Sequence, residues 1–299
     1  MQDKRLEAFH ENRERLFSIA YRMLGSVADA EDLVQEAFLR WQQTDLADVR
    51  SPRAYLSTVI TRLCINHLKS ARAHREEYVG PWLPEPLLTG QVPDPGGDGR
   101  LAESLSMAFL VLLESLSPVE RSVFLLHEVF DYDHAEIAHI LGKSEANCRQ
   151  MLRRAREQVA ARRPRFDPSP VQRERLAEQF LKTSVEGDLQ GLLTLLAEDV
   201  ALWADGGGKT AAALRPIRGA DRVVRFIAGA LRKLVPADRV SRRTEINGQP
   251  GIISYVGRWP ISAVILDPVG GRIQTIYIVS NPEKLARLPS PPAPGDPTP

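Results

Sequence analysis

The side chains with the plainest chemistry lie between Lys143 and Arg165, where eight bases face only two acids, Glu145 and Glu157. Arg149, Gln150, Arg153, Arg154 and Arg156 recur at spacings that put them on the outer surface of one helix. Cys148, Met151, Leu152, Ala155 and Val159 form its apolar stripe. Arg, Gln and Asn reach base edges in the major groove with matched donors and acceptors. Acid–base catalysis is served less well. From Val171 to Leu288 there is no histidine, and Asp199, Asp205 and Asp267 each adjoin a turn or strand end.

The elements that must hold these side chains follow from local signals. Asp133 to Leu141 reads as a short helix, Gly142 as its turn, and Ser144 as the start of a second helix running to about Arg163. That is the helix-turn-helix plan. Its second helix would present Ser144, Asn147, Arg149, Gln150 and Arg153, beside Lys143, to base edges. Arg154, Arg156, Arg162 and Arg163 would meet phosphates, which add affinity without sequence information. Ser117-Pro118-Val119-Glu120 is a capping signature for the preceding helix.

Nearer the N-terminus, Leu16, Ile19, Ala20, Met23 and Leu24 form a helical stripe that Gly25 stops. A second helix turns Leu33, Val34, Ala37, Phe38 and Trp41 inward, Trp41 being a core residue before it is a stacking face. Ser51-Pro52 opens a third helix that buries Leu56, Val59, Ile60 and Leu63. Half of the twenty residues from Gly80 to Gly99 are Gly or Pro, which marks a linker. Within it, Trp82-Leu83-Pro84-Glu85-Pro86 is too apolar for a solvated tether and reads as a docking peptide. After Pro170, helical patterns mix with five strand-like runs, and Asn247-Gly248 and Gly270-Gly271 suit hairpin turns. This predicts an α+β domain with antiparallel strands.

Composition bounds the reading. At roughly 150 residues per domain, a chain of 299 suggests two domains with room for a small third. It is 43% hydrophobic and 26% charged, with no apolar run long enough to span a bilayer. No membrane partner is expected, nor a metal or cofactor. Cys64 and Cys148 form neither a disulfide framework nor a zinc site, and a reducing cytoplasm is the simplest home. The net charge of +1 hides segregation. Six acids lie between Ser26 and Asp48 against Arg40 alone, whereas Arg50 to Arg75 carries six bases and no acid. Such a chain suits a polyanion at one place and a basic protein surface at another.

Asp29-Ala30-Glu31-Asp32-Leu33-Val34-Gln35-Glu36-Ala37-Phe38-Leu39-Arg40-Trp41 resembles the region-2 signature of bacterial sigma factors of the extracytoplasmic-function type. The stretch from Leu116-Ser117-Pro118 through Glu136-Ile137-Ala138 to Arg153-Arg154-Ala155-Arg156 resembles their region 4. Ala146-Asn147-Cys148 departs from the small residue, Thr and Val of many members, which bears on base preference. The resemblance implies that Asp29, Asp32, Leu33, Gln35, Glu36 and Phe38 grip the RNA polymerase core. It implies that Arg53, Arg62, Asn66, Lys69 and Arg72 handle the −10 element of promoter DNA and that region 4 reads the −35 element. The domains expected are 1–76 (region 2), 77–100 (linker), 101–165 (region 4), 169–288 and a disordered tail, 289–299.

The segment 169–288 resembles the SnoaL-like, cone-shaped α+β fold, and three stretches resemble a subgroup of these sigma factors that carries it. They are Trp82 to Pro86, Asp205-Gly206-Gly207-Gly208-Lys209, and Asn281-Pro282-Glu283-Lys284-Leu285. This implies regulation in cis, with no obligate separate anti-sigma protein. The apolar peptide in an otherwise loose linker adds the expectation that it meets the glycine-rich loop at one interdomain interface. The alternatives are a helix-turn-helix regulator whose last domain senses a small-molecule ligand, or one whose last domain is a cyclase- or isomerase-like enzyme.

Overall fold

The computed structural model describes residues 2–76, 78–89, 104–160, 170–233, 236 and 238–291. The chain forms two compact units, one from residues 1–77 with 109–163, the other from 78–108 with 164–299.

The first unit is helical. α1 (Gln2–Leu24), α2 (Val27–Gln43) and α3 (Pro52–Glu76) pack around Leu16, Ile19, Met23, Val34, Ala37, Trp41, Leu56 and Ile60. Gly25 ends α1 at a φ of 67°, and the Ser26 hydroxyl then caps α2 by accepting the Asp29 amide at 3.2 Å. Trp41 is 0% exposed, and its indole N–H donates to the Arg5 carbonyl at 2.8 Å. It is a core residue, and burying an aromatic of this size stabilises the block by roughly 5 kcal/mol before entropy is counted.

α4 (Met107–Leu113) leads into α5 (Pro118–Glu128), α6 (His134–Leu141) and α7 (Glu145–Ala160). Reciprocal capping boxes start α5 (Ser117 with Glu120) and α6 (Asp133 with Glu136). Gly142 ends α6 in the left-handed region, φ 62°, and turns the chain into α7. These helices join the first three through buried polar ties. The Arg121 guanidinium donates to the Met23 carbonyl at 2.6 Å and to Glu114 at 2.7 Å. The Tyr132 hydroxyl donates to Ser57 Oγ at 2.7 Å.

The second unit is α+β. α8 (Pro170–Glu186), α9 (Leu189–Leu195) and α10 (Ala220–Lys233) pack on a sheet of six strands. The strands are β1 (Leu196–Asp205), β2 (Ile217–Arg218), β3 (Val240–Ile246), β4 (Gln249–Val256), β5 (Trp259–Val269) and β6 (Arg272–Val279). A short helix, α11 (Pro282–Leu285), follows. Strand order is β2-β1-β6-β5-β4-β3. The expectation of purely antiparallel strands is corrected at one place, because β1 and β6 run parallel, pairing Leu202 with Ile276 and Asp205 with Val279. Val200, Leu202 and Ala204 join the helix-side core with Val223, Val224, Leu266, Ile273 and Ile276. Strand alternation sends Ala201, Trp203 and Asp205 to the other face. No helix among the described residues is long and apolar enough to cross a membrane.

Candidate functional site

The acidic helix α2 presents Asp32 and Gln35 to solvent, with Glu36 bonded to Arg40 at 2.5 Å. Asp32, Gln35, Glu36, Leu39, Arg40 and Gln43 line one shallow depression. Leu33 is buried beneath this face, and Phe38 packs against Phe9 of α1 with ring centroids 4.8 Å apart. Asp29 lies 3.5 Å from the His67 ring of α3. The apolar side chain on the surface is Leu39, 51% exposed, which sequence reasoning passed over. Its position one turn beyond Gln35 was the available signal.

On α3, Arg53, Asn66 and Lys69 are exposed. Arg62 is committed elsewhere: its Nε donates to the Ile140 carbonyl at 2.8 Å, and Nη2 lies 3.4 Å from the His139 carbonyl. These are C-terminal carbonyls of α6, where orphan acceptors and the negative end of the helix dipole favour a cation. Arg72 belongs to α3, but its side chain lies outside the described residues.

α7 splits cleanly. Cys148, Leu152, Ala155 and Val159 are buried, while Lys143, Ser144, Asn147, Arg149, Gln150, Arg153 and Arg154 are all exposed. Arg149 pairs with Glu145 at 2.6 Å and Arg153 with Glu157 at 3.7 Å. Exposed pairs of this kind are worth at most about 1 kcal/mol and yield readily to a phosphate. Arg156 is held back by two bonds to Glu128, at 2.6 and 2.9 Å. Arg162 and Arg163 lie outside the described residues.

The linker is where sequence and structure meet most closely. Residues 83–86 are buried rather than solvated. The Asp205 carboxylate, 0% exposed, receives four donors. Oδ1 accepts the Tyr78 hydroxyl at 2.5 Å and the Gly207 amide at 3.0 Å. Oδ2 accepts the Leu83 amide at 2.9 Å and Lys284 Nζ at 2.7 Å. Lys284 also donates to the Leu83 carbonyl and lies 4.2 Å from the Trp82 ring centroid and 5.1 Å from that of Tyr78. A buried carboxylate is tolerable only with such pairing. Burial, reinforced by Asp205, pushes the Tyr78 phenol well above its ordinary range, so it stays a donor.

The glycines of the loop are there for closeness. A Cβ on Gly207, whose φ is 58°, would lie 2.3 Å from Asn281 Nδ2 and 3.1 Å from the Tyr78 hydroxyl. On Gly208 it would lie 3.2 Å from Val79, and on Gly206 2.5 Å from the Thr210 carbonyl. Asn281 caps α11, with Pro282 in its first turn, and donates to the Tyr78 hydroxyl at 3.0 Å. Lys209 pairs with Glu283. Thus all three stretches singled out in the sequence converge. Tyr78 was missed, because nothing local distinguishes it.

Comparison with known proteins places both helical segments in one family. Residues 8–74 match Sigma-70 region 2, and residues 106–159 match Sigma-70, region 4. The chain is 38% identical over 294 residues to the ECF RNA polymerase sigma factor SigJ of Mycobacterium tuberculosis, covering 94% of this chain and 93% of that protein. It is 32% identical over 283 residues to the probable ECF RNA polymerase sigma factor SigI of the same organism, covering 94% of each. The crystal structure of M. tuberculosis SigJ aligns with a TM-score of 0.73 at 34% identity, covering 94% of this chain and 98% of that one. Two sigma regions followed by a six-stranded α+β domain, on a sequence this close to SigJ, make the chain a member of the extracytoplasmic-function family of RNA polymerase sigma factors.

Proposed function

We propose that this chain brings RNA polymerase core to promoters and that its SnoaL-like domain governs that activity in cis by holding the linker. Sigma factors bind polymerase core and promoter DNA, so membership carries both partners. Asp29, Asp32, Gln35 and Glu36, with Leu39 added, are the polymerase-facing candidates, held in place by Leu33 and Phe38. Arg53, Asn66 and Lys69 lie ready for the −10 element, and Arg62 joins them once it leaves α6. Ser144, Asn147, Arg149, Gln150 and Arg153 read the −35 duplex, with Lys143 and Arg154 on phosphates.

The observation that carries the regulatory reading is the use made of Asp205. A catalytic base needs a lone pair open to substrate, whereas the Asp205 carboxylate meets four donors, three of them from the linker and α11. That favours a clamp over a cyclase-like enzyme, and a clamp of this kind would regulate without calling on a separate anti-sigma protein. Run-off transcription with core polymerase tests the reading, comparing the full chain, Trp82→Ala, Asp205→Asn, and chains cut near Asp167 or after Lys209. Coupling of ordinary strength changes transcript yield at least about fivefold. Wild-type yield from both substitutions and from the Asp167 truncation would refute it.

A further inference from the structure

The β3–β4 turn does more than reverse the chain. Asn247 and Gly248 have φ of 55° and 69°, as a two-residue hairpin turn requires. Turn residues of this type are ordinarily solvated, yet Asn247 is 0% exposed and the neighbouring Gln249 4%. Their polar groups are engaged by chain more than a hundred residues away. Asn247 Oδ1 accepts the Leu87 amide at 3.1 Å, its Nδ2 donates to the Leu105 carbonyl at 3.1 Å, and its own amide donates to the Leu87 carbonyl at 2.7 Å. The Gly248 amide donates to Thr89 Oγ1 at 2.9 Å, and Leu88 bridges to Ile246 as a one-residue strand. Gln249 Oε1 accepts the amide of Met107, the first residue of α4, at 3.0 Å.

One asparagine side chain thereby joins Leu87 to Leu105. The 17 residues between them in sequence would span as much as about 60 Å if fully extended. We propose that Asn247, with Gln249, is a staple that removes this length from the linker and so sets which spacings between the −10 and −35 elements the protein accepts. Each added base pair moves one element by about 3.4 Å and turns it by about 35°. A stapled linker resists that displacement, and a released one follows it. The staple rests on the cis-regulatory reading above but uses residues outside the Asp205 cluster.

The test uses the full chain with core polymerase. Promoters are first selected from random templates with the wild-type holoenzyme, then rebuilt with the spacer lengthened or shortened by about one to four base pairs. Asn247→Gly removes both side-chain bonds while keeping a residue at ease with positive φ. Asn247→Asp, which keeps Oδ1 for Leu87 but sets a carboxylate oxygen against the Leu105 carbonyl, and Gln249→Ala are second variants should the first fold poorly. Hydrogen exchange at the Leu87 and Met107 amides reports release, and unchanged protection across β4 and β5 reports an intact domain. The expected result is wild-type transcription falling at least about tenfold within two base pairs of the best spacer, against about threefold or less for the released variants. Matching spacer profiles with Leu87 exchange accelerated would overturn the staple, as would unaccelerated Leu87 exchange in Asn247→Gly. Trp82→Ala run alongside separates the two readings. If it alters yield while the Asn247 variants leave spacing untouched, only the staple fails. If neither changes anything, both fail.

Discussion

Replacing Lys284 by Met keeps most of the apolar stem and deletes the ammonium that lies 2.7 Å from Asp205 and 4.2 Å from the Trp82 ring. The lysine side chain is 12% exposed and the aspartate 0%. The carboxylate would retain the Tyr78 hydroxyl and the Leu83 and Gly207 amides but lose its counter-charge. Removing one member of a buried pair costs about 3–5 kcal/mol. The lower end, with the lost cation–π contact included in it, applies where neutral donors remain. About 3 kcal/mol corresponds to a factor of roughly 150. The Leu83 amide, itself bonded to Asp205, is the natural reporter, and its hydrogen exchange in the intact chain should accelerate by about two orders of magnitude. The double variant Asp205→Asn with Lys284→Met should recover much of that protection, because a neutral amide needs no counter-charge. Acceleration below about threefold in the single variant, or no recovery in the double, refutes the electrostatic account of the lock.

Three further outcomes follow from the geometry. Gly207→Ala combines a left-handed backbone with a Cβ driven against Asn281 and Tyr78, and should destabilise the second unit by about 1–3 kcal/mol in thermal melts. Gly219→Ala, at a φ of 91° with nothing within 4 Å, isolates the backbone share, so an equal loss would show that the crowding is unimportant. Arg154→Ala should reduce the salt slope of −35 duplex binding by holoenzyme by about one without altering sequence preference, whereas Gln150→Ala should relax discrimination at one base by about 1–3 kcal/mol; a reversed pattern would reassign their roles. Burial, with smaller contributions from His127, Arg149 and Arg156, pulls the His134 imidazole below its ordinary 6.5. The unfolded chain then binds the extra proton first, so the stability from the neutral ring is complete above about pH 6.5 and is lost as pH falls through the depressed value. His134→Gln should lose less melting temperature than wild type between about pH 7.5 and 5.5, and identical losses would count against this.

Much of the fold was legible because its signals are local. Ser117 with Glu120, Ser51-Pro52, Gly25 and Gly142 each specify an end of a helix from a few neighbouring residues, and the stripe through Cys148, Leu152, Ala155 and Val159 fixes the inward face of α7. Of the three linker-associated stretches, Trp82 to Pro86 stood out by its own apolarity, and the other two were legible only through resemblance to a sigma subgroup. What stayed hidden depends on distant partners. Asn247 read as a turn residue because Leu87 and Leu105, its partners, lie 160 and 142 positions away. The parallel pairing of β1 with β6 leaves no mark on either strand alone, since alternation reports a buried face and not a neighbour's direction. Arg62 looked like any other exposed base of α3, and its engagement with the end of α6 needs both helices in view.

The order in which the lock's parts are synthesised has a consequence of its own. Leu83 leaves the ribosome 201 positions ahead of Lys284, the residue that closes the cluster. At about 5–20 residues per second, the docking peptide waits roughly 10–40 s for its cation. Within that interval α4 to α7 emerge in turn, while the segment that completes the Asp205 cluster is still being translated. A nascent chain stalled or cleaved before Lys284 would therefore carry α1 to α7 complete and its Asp205 carboxylate buried without a counter-charge.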